Sequence, residues 1–201
     1  MIPRRVWETL DRWYEQRSLR RAKKIILGGL PQRLSGWAVT NQDIIDVTVR
    51  EDFLRYWRPA SRSVFCAEHV WEHLECWEAE QANANCFEFL KPGGVLRLAV
   101  PDGLHPDPGY IEHVRPGGTG AGAEDHKVLY TYKSLDSELS AAGFVVRLLE
   151  YWDEAGCFHF HEWSDDAGRI SRSSRYDRRN LEAPLSYTSL IVDAVKPVDC
   201  R

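Results

Sequence analysis

Two stretches of the sequence decide the fold: residues 63–75, SVFCAEHVWEHLE, and residues 89–102, FLKPGGVLRLAVPD. The first predicts a short buried strand that runs into a helix. The second predicts a tight Lys-Pro-Gly-Gly turn followed by another apolar strand. Strand, helix, turn and strand form a βαβ unit, which indicates a parallel sheet. Ligands of such sheets bind beyond the carboxyl ends of the strands, which here are residues 67–69 and 101–102.

The length and composition are those of one ordinary globular domain. The 201 residues are 43% hydrophobic and 28% charged, which is enough for a full core. A net charge of −4 gives no general attraction to nucleic acid, and no apolar run approaches the roughly 20 residues of a membrane span. The five cysteines form no CxxC pair, and the sequence shows no signal peptide. We therefore expect a reduced, cytoplasmic protein without nucleic-acid or membrane partners.

The N-terminal residues 1–22 predict a basic amphipathic helix ahead of the main domain, residues 23–201. Apolar positions recur there at helical spacing, and over residues 1–24 eight Lys and Arg face three acids. The segment is either an arm for an anionic partner or a helix packed on the domain with a solvated face. We favour the packed helix.

Along the main domain, apolar runs predict strands at 23–28, 37–41, 63–67, 95–100, 144–151 and 187–195. Residues 44–47 are either a further short strand or an extended segment. Helices are predicted at 50–57, 69–90 and 130–142. Two irregular inserts, residues 101–130 and 152–186, interrupt this pattern. A polar loop of about 30 residues in a compact domain is either a functional lid or disordered. Apolar residues such as Tyr110 and Val114 argue against disorder in the first insert.

The order of these elements resembles the class I S-adenosylmethionine-dependent methyltransferases, specifically the short type 11-like bacterial set. The resemblance covers residues 23 to about 151. It rests on a Gly-terminated first strand, the EHVWEHL and LKPGGVL stretches, and Ala-Gly-Phe before the strand at 144–151. It implies a Rossmann-like three-layer α/β sandwich with a seven-stranded, mostly parallel sheet and an antiparallel last strand. It also implies methyl transfer from S-adenosylmethionine to a small-molecule acceptor. The sequence does not identify this acceptor, which is expected to be small or anionic.

The resemblance places the cofactor at the carboxyl ends of the strands at 23–28, 37–41 and 63–67. Glycines after the first strand let the backbone approach the methionine and ribose part, and an acid after the second usually binds the ribose hydroxyls. Residues near the adenine side and after the third of these strands complete the pocket. The matching positions are Gly28, Gly29, Asn41, Asp46, Ala67, Glu68 and His69.

The sequence departs from the family pattern on this wall. Ile26 replaces the usual acid two residues before the first glycine, and the glycine loop is reduced to Gly28-Gly29, with Pro31 soon after. The ribose position is Asn41, whose uncharged amide binds a hydroxyl less strongly than a carboxylate, by roughly 1 kcal/mol. A catalytically silent binding protein of the same fold is therefore the main alternative to an enzyme.

Histidines in the first insert are the candidate catalytic bases. The cofactor supplies the electrophile, so a base is required only when the acceptor is a poorly ionised hydroxyl or amine. Histidine has the pKa for that role. His126, beside Asp125, is the first candidate, and His105 and His113 follow. The alternative for each is a loop histidine satisfied by backbone or water.

Residues 69–73, HVWEH, also match the H-x-x-E-H pattern of a zinc peptidase. On a helix, His69 and His73 would share one face. The pattern is short, it requires a further acidic ligand, and the same residues fit the end of a methyltransferase strand. A zinc hydrolase using His69, Glu72 and His73 therefore ranks below the other two functions, and no metal site is predicted.

Overall fold

A computed structural model of the chain describes residues 16–29 and 35–198. The strands are β1 (Lys24–Leu27), β2 (Trp37–Val39), β3 (Arg62–Glu68), β4 (Leu90–Pro101), β5 (Val145–Trp152), β6 (Phe158–Phe160) and β7 (Ser189–Val195). The helices are α1 (16–21), α2 (Arg50–Tyr56), α3 (Cys76–Phe89), α4 (Pro108–Val114), α5 (Tyr132–Ala141) and α6 (Arg179–Glu182). Short 3₁₀ turns lie at Trp71–His73, Ala123–Asp125 and Asp165–Ala167.

The seven strands form one sheet in the order β2-β1-β3-β4-β7-β5-β6. Strands β1 to β4 pair in parallel, and β7 runs antiparallel between β4 and β5. Strand β5 therefore points the same way as the first four, and β6 adds an antiparallel edge. This confirms the predicted α/β architecture, a seven-stranded and mostly parallel sheet with an antiparallel last strand.

The two faces of the sheet are covered differently. One face packs against α2, α3 and α5 in a large apolar core that includes Phe53, Phe89 and Leu139. The other face, which carries Cys66, is covered by the second insert through Trp163 and Ile170. A strand buried on both faces reads as a continuous apolar run, which is why β3 and β4 are visible in the sequence.

Residues 44–47 do not form the strand that was one of the two predicted possibilities. The amides of Ile44 and Ile45 donate to the Asn41 carbonyl, so this segment is a turn that directs Ile45 and Val47 into the core. The seventh strand is instead β6, from the second insert. A short apolar run is compatible with either a strand or a buried turn, because both direct alternate side chains into the core.

The helix predicted to begin at His69 is also wrong in its first part. His69 has a φ of 56°, a left-handed conformation that ends β3 and prevents a helix from starting there. A 3₁₀ turn follows, and α3 begins only at Cys76, where Glu75 and Glu78 form a capping box. The indole of Trp71 is buried and donates to Asn83 on α3. This anchor holds the 3₁₀ turn against the helix that follows it.

Strand β4 starts earlier than predicted. Leu90 already pairs with Arg62, and the register shifts before Val95 pairs with Val64. The Lys-Pro-Gly-Gly segment is therefore a bulge within the strand, where Gly93 adopts a φ of 74°.

Residues 16–21 are helical, and Leu19 is buried in the core while its carbonyl accepts a hydrogen bond from the Trp57 indole. Residues 1–15 lie outside the described part of the chain, so the helix over 1–22 and its division from 23–201 stay predictions. Across the described ranges, the helices are too short or too polar to cross a bilayer.

Candidate active site

The carboxyl ends of β1 and β2 form one wall of the candidate site. Gly28 has a φ of 70°, and the Gly29 amide donates to the Thr40 carbonyl. A Cβ built on Gly28 would lie 2.5 Å from Val70 Cγ2, and one on Gly29 would lie 2.8 Å from the side chains on β1 and β2. Both positions therefore require glycine, and residues 30–34 of the predicted loop lie outside the described residues.

Asn41 carries an unused acceptor on this wall. Its Oδ1 is buried and has no hydrogen-bond partner. A buried polar atom without a partner costs free energy, so such an atom marks a place for a ligand or an ordered water. Asp46 differs, because its Oδ1 accepts from the amide and the hydroxyl of Thr48 at 2.9 and 2.7 Å. Asp46 organises its own turn, and its role toward a cofactor stays a prediction.

The end of β3 holds the other predicted cofactor residues. Ala67 is buried within the sheet. The carboxylate of Glu68 accepts the backbone amides of Ser171 and Arg172 at 3.0 and 2.7 Å, so it fastens the second insert. His69 Nε2 lies 3.0 Å from Ser189 Oγ on β7. The cofactor roles of these three residues stay predictions, and Glu68 already has a structural one.

Glu72 lies in the 3₁₀ turn after β3, two residues beyond Val70, the residue that packs against Gly28. Its side chain is 0% exposed, and neither carboxylate oxygen accepts a hydrogen bond. His69 Nδ1 lies 3.0 Å from Oε1, an ion-pair distance without hydrogen-bond geometry. A carboxylate in this condition is costly to bury, because its lost hydration is not replaced.

The backbone of Glu72 contacts the far end of the first insert. The Glu72 carbonyl accepts the Lys127 amide at 2.7 Å, which brings His126 beside His73. The two imidazoles meet edge to face with ring centroids 4.7 Å apart. Ligand atoms of Glu72, His73 and His126 all lie within 4.8 Å of one another. The sequence pairs Glu72 with His73 in the H-x-x-E-H pattern and gives His126 as a candidate base, but it does not indicate that His126 joins them.

The three candidate bases have different surroundings. His126 Nδ1 lies 2.7 Å from the Val114 carbonyl, which fixes the proton on Nδ1 and leaves the Nε2 lone pair available. His105 uses both nitrogens, because Nε2 lies 3.3 Å from the Leu185 carbonyl and Nδ1 accepts the Asp107 amide. His113 is exposed near the end of α4. The catalytic roles stay predictions, and the hydrogen bonds favour His126.

Three buried tyrosines surround the Glu72 region: Tyr110, Tyr130 and Tyr187. Burial raises the pKa of each phenol, and the nearby Glu72 carboxylate adds to the increase. The phenols therefore stay neutral at physiological pH. Tyr110 accepts the Asp102 amide and donates to the Thr188 carbonyl, so its hydroxyl ties the first insert to the sheet.

Asp102, at the end of β4, is a second buried acid near this site. Its two oxygens accept the amides of Leu104 and Trp152 at 3.0 and 2.8 Å. Burial raises the pKa of Asp102 to about 6, although both hydrogen bonds oppose the increase. The residue joins β4, the start of the first insert and β5.

Comparison with known proteins supports the fold. No protein-family model and no curated protein sequence matches the chain. Among solved structures, an S-adenosylmethionine-dependent methyltransferase from Archaeoglobus fulgidus matches with a TM-score of 0.50 and 13% identity. That match covers 96% of this chain and 95% of the other. It shows that the fold is that of the class I methyltransferases.

Two further solved structures have lower scores. A methyltransferase from Haloferax volcanii, in complex with the Trm112 activator, has a TM-score of 0.49 and 12% identity, over 96% of this chain and 94% of that one. The Haemonchus contortus phosphoethanolamine N-methyltransferase 2, in complex with S-adenosyl-L-methionine, has a TM-score of 0.43 and 12% identity. It matches 81% of this chain, and the match spans 37% of its own length. At these identities the likeness concerns the fold alone.

Proposed function

We propose that this protein transfers a methyl group from S-adenosylmethionine to a small acceptor. The observation that carries the proposal is the buried, unpartnered Oδ1 of Asn41 at the carboxyl end of β2. It lies in a sheet with the class I methyltransferase fold, at the edge where such sheets bind ligands. Gly28 and Gly29 follow the neighbouring strand, at the position that the resemblance gives to the cofactor, and support the same assignment.

The cofactor, when bound, supplies an electrophilic methyl group. The chain provides binding and orientation: Asn41 Oδ1 accepts a ribose hydroxyl, and the bare backbone at Gly28 and Gly29 allows close approach. Glu68 is already committed to the second insert, so the proposal does not depend on it. The two inserts cover the site and exclude water from the reacting groups.

The acceptor side of the proposed site is the group formed by Glu72, His73 and His126. The free Nε2 lone pair of His126 can take a proton from a hydroxyl or amine. His126→Ala is expected to lower turnover at least 100-fold while cofactor affinity stays within twofold. Unchanged turnover would remove His126 from the reaction.

The cofactor proposal is tested by calorimetric titration with S-adenosylmethionine and its demethylated product. Asn41→Ala is expected to weaken binding about fivefold, since one hydrogen bond is worth about 1 kcal/mol. Gln42→Ala, at the exposed neighbouring position, is the matched control and should bind normally. Absence of binding by the unmodified chain at millimolar cofactor would overturn the proposal.

A catalytically silent binding protein is the second candidate. The observation that favours it is the packing of Val70 against Gly28, at the surface where the backbone should approach the cofactor. Ile26 also argues against catalysis, because the family has an acid at this position. Cofactor binding without methyl transfer to any hydroxyl, amine or thiol acceptor in a mixed panel would favour this candidate. We do not propose a zinc hydrolase, because residues 69–73 do not form the helix that the H-x-x-E-H pattern requires.

A further inference from the structure

We propose that Glu72, His73 and His126 bind one divalent metal ion of the zinc class. They provide one carboxylate and two imidazoles, a donor set that zinc uses in sites with an open fourth position. The group lies where the 3₁₀ turn after β3 meets residues 126–128 of the first insert. It differs from the H-x-x-E-H pattern, because its third member comes from the first insert instead of from His69.

The unsatisfied carboxylate is the main observation. Glu72 is fully buried, and neither oxygen accepts a hydrogen bond, although imidazole nitrogens lie close by. The chain elsewhere satisfies its buried acids: Glu150 and Asp102 each accept two hydrogen bonds. A cation between Glu72 and the imidazoles would neutralise the charge and occupy its lone pairs.

The imidazoles are oriented for metal binding by their second nitrogens. His126 Nδ1 lies 2.7 Å from the Val114 carbonyl, which directs the Nε2 lone pair elsewhere. His73 Nδ1 lies 3.5 Å from Asp125 Oδ2, which favours the tautomer with its lone pair on Nε2. Lys127 Nζ lies 2.9 Å from Asp125 Oδ1, so this carboxylate is held by a cation on its other side. Such outer partners are typical of metal-binding histidines.

The distances fit an apo site that closes on its ion. The ligand atoms lie within 4.8 Å of one another, and ligands of a tetrahedral zinc ion are about 3.4 Å apart. A bound ion would draw the three side chains closer together than they lie in the structure. A bound ion would use the His126 lone pair, so His126 would then act through the metal, which leaves a position for an acceptor oxygen or nitrogen.

That last role rests on the proposed function, but metal binding does not. The test is titration of the full chain with Zn²⁺ against a competing chelator, without cofactor. Cys76 and Cys157 are exposed thiols, and Cys200 lies outside the described residues. All three are therefore replaced by serine in the background protein. We expect one equivalent of zinc with a submicromolar Kd.

Three variants and a control assign the ligands. Glu72→Gln, His73→Ala and His126→Ala should each weaken zinc binding at least 100-fold, whereas His161→Ala, at an exposed histidine, should leave the Kd within twofold. Circular dichroism confirms that each variant is folded, and His126→Gln replaces His126→Ala if the latter is not. Binding of less than 0.2 equivalents, or equal affinity in all variants, would overturn the proposal.

The two proposals fail separately. Cofactor calorimetry in EDTA tests the methyltransferase proposal without metal, and the zinc titration tests the metal site without cofactor. Zinc binding with no cofactor binding would support the metal site and remove the methyltransferase role. Cofactor binding with no zinc binding would remove the metal site and leave His126 as a free base.

Discussion

Two buried glutamates, Glu72 and Glu150, show how differently the two inserts are attached to the sheet. Both side chains are 0% exposed. Glu150 on β5 accepts the Trp163 indole and the Ser174 amide at 2.9 and 2.7 Å, so both of its oxygens serve the second insert. Glu72 faces the first insert, and its carboxylate accepts no hydrogen bond, although His69 Nδ1 lies 3.0 Å from Oε1. The satisfied acid is structural, and the unsatisfied acid marks the place where chemistry or a ligand is expected.

Arg97 extends this contrast to the whole second insert. It forms a bidentate pair with Asp193 at 2.7 and 2.8 Å and donates to the carbonyls of Ser164 and Gly168. Its guanidinium also lies over the Trp163 ring at 4.8 Å. One buried cation thus joins β4, β7 and the second insert.

Arg97→Met should give the largest loss of stability, about 4 kcal/mol, because it leaves Asp193 and two carbonyls without their donor. Urea unfolding measures the effect. Arg147→Met on β5, at a more exposed cation opposite the same Asp193 in the sheet register, is the matched control and should cost less than about 1 kcal/mol. Equal losses at both positions would show that the second insert is not fastened by Arg97.

Asp102 should make stability depend on pH. Its pKa is raised by burial from the usual 3.8 to about 6, so the folded chain holds the proton more tightly than the unfolded chain. The stabilisation is complete below about pH 4 and is lost as pH rises through about 6, a total of about 3 kcal/mol.

The measurement is urea unfolding of the unmodified chain and of Asp102→Asn at pH 4 and pH 7.5. Between these values the unmodified chain should lose about 2.4 kcal/mol relative to the variant, which has no proton to release there. Comparing the two proteins removes the contributions of the other acids. Parallel pH profiles would contradict a raised pKa for Asp102.

Glu150→Gln should destabilise the fold by about 2 kcal/mol. The amide can accept from only one of the two donors, and its NH₂ group faces the other one, which remains unpaired. Chemical denaturation with tryptophan fluorescence is a suitable measurement, because Trp163 is one of the donors. A loss below 0.5 kcal/mol would mean that these hydrogen bonds are replaced by water.

Glu72→Gln is the same substitution at the same burial, and its effect should be the smallest and of opposite sign. It removes a buried charge and breaks no hydrogen bond, and the amide oxygen can still face His69 Nδ1, which lies 3.0 Å from Oε1, so stability in EDTA should be unchanged or increase by up to about 1 kcal/mol. Chemical denaturation of Glu72→Gln and Glu150→Gln under the same conditions compares the two free energies of unfolding directly. Destabilisation by 2 kcal/mol or more would place Glu72 among the structural acids.

The sheet could be predicted from the sequence because its inner strands are continuous apolar runs. Strands β1, β3, β5 and β7 lie within two residues of their predicted ends. Thr131 is a local signal of the same kind, because its side chain caps α5 by accepting the Ser134 amide. These features depend on the local pattern of apolar and polar residues, which can be read directly from the sequence.

The site could be predicted only in part. The glycines and Asn41 at strand ends predict its first wall. The left-handed φ of His69 could not be predicted, because nothing in the sequence marks that conformation at a residue other than glycine. That one angle changes a predicted helix into a 3₁₀ turn and directs Glu72 inward. The contact of His73 with His126 depends on the path of an irregular insert, which has no periodicity to reveal it.

The position of β7 also sets an order for folding. It lies between β4 and β5, and its pair Arg97–Asp193 joins residues 96 positions apart. Strands β1 to β4 and the helices that pack on them can associate as the chain is synthesised, but β5 and β6 have no sheet to join until β7 arrives. Such long-range pairing slows folding and exposes the open edge of β4 meanwhile. Strand β7, which follows β5 and β6 in the chain, is therefore the one that joins the two parts of the sheet.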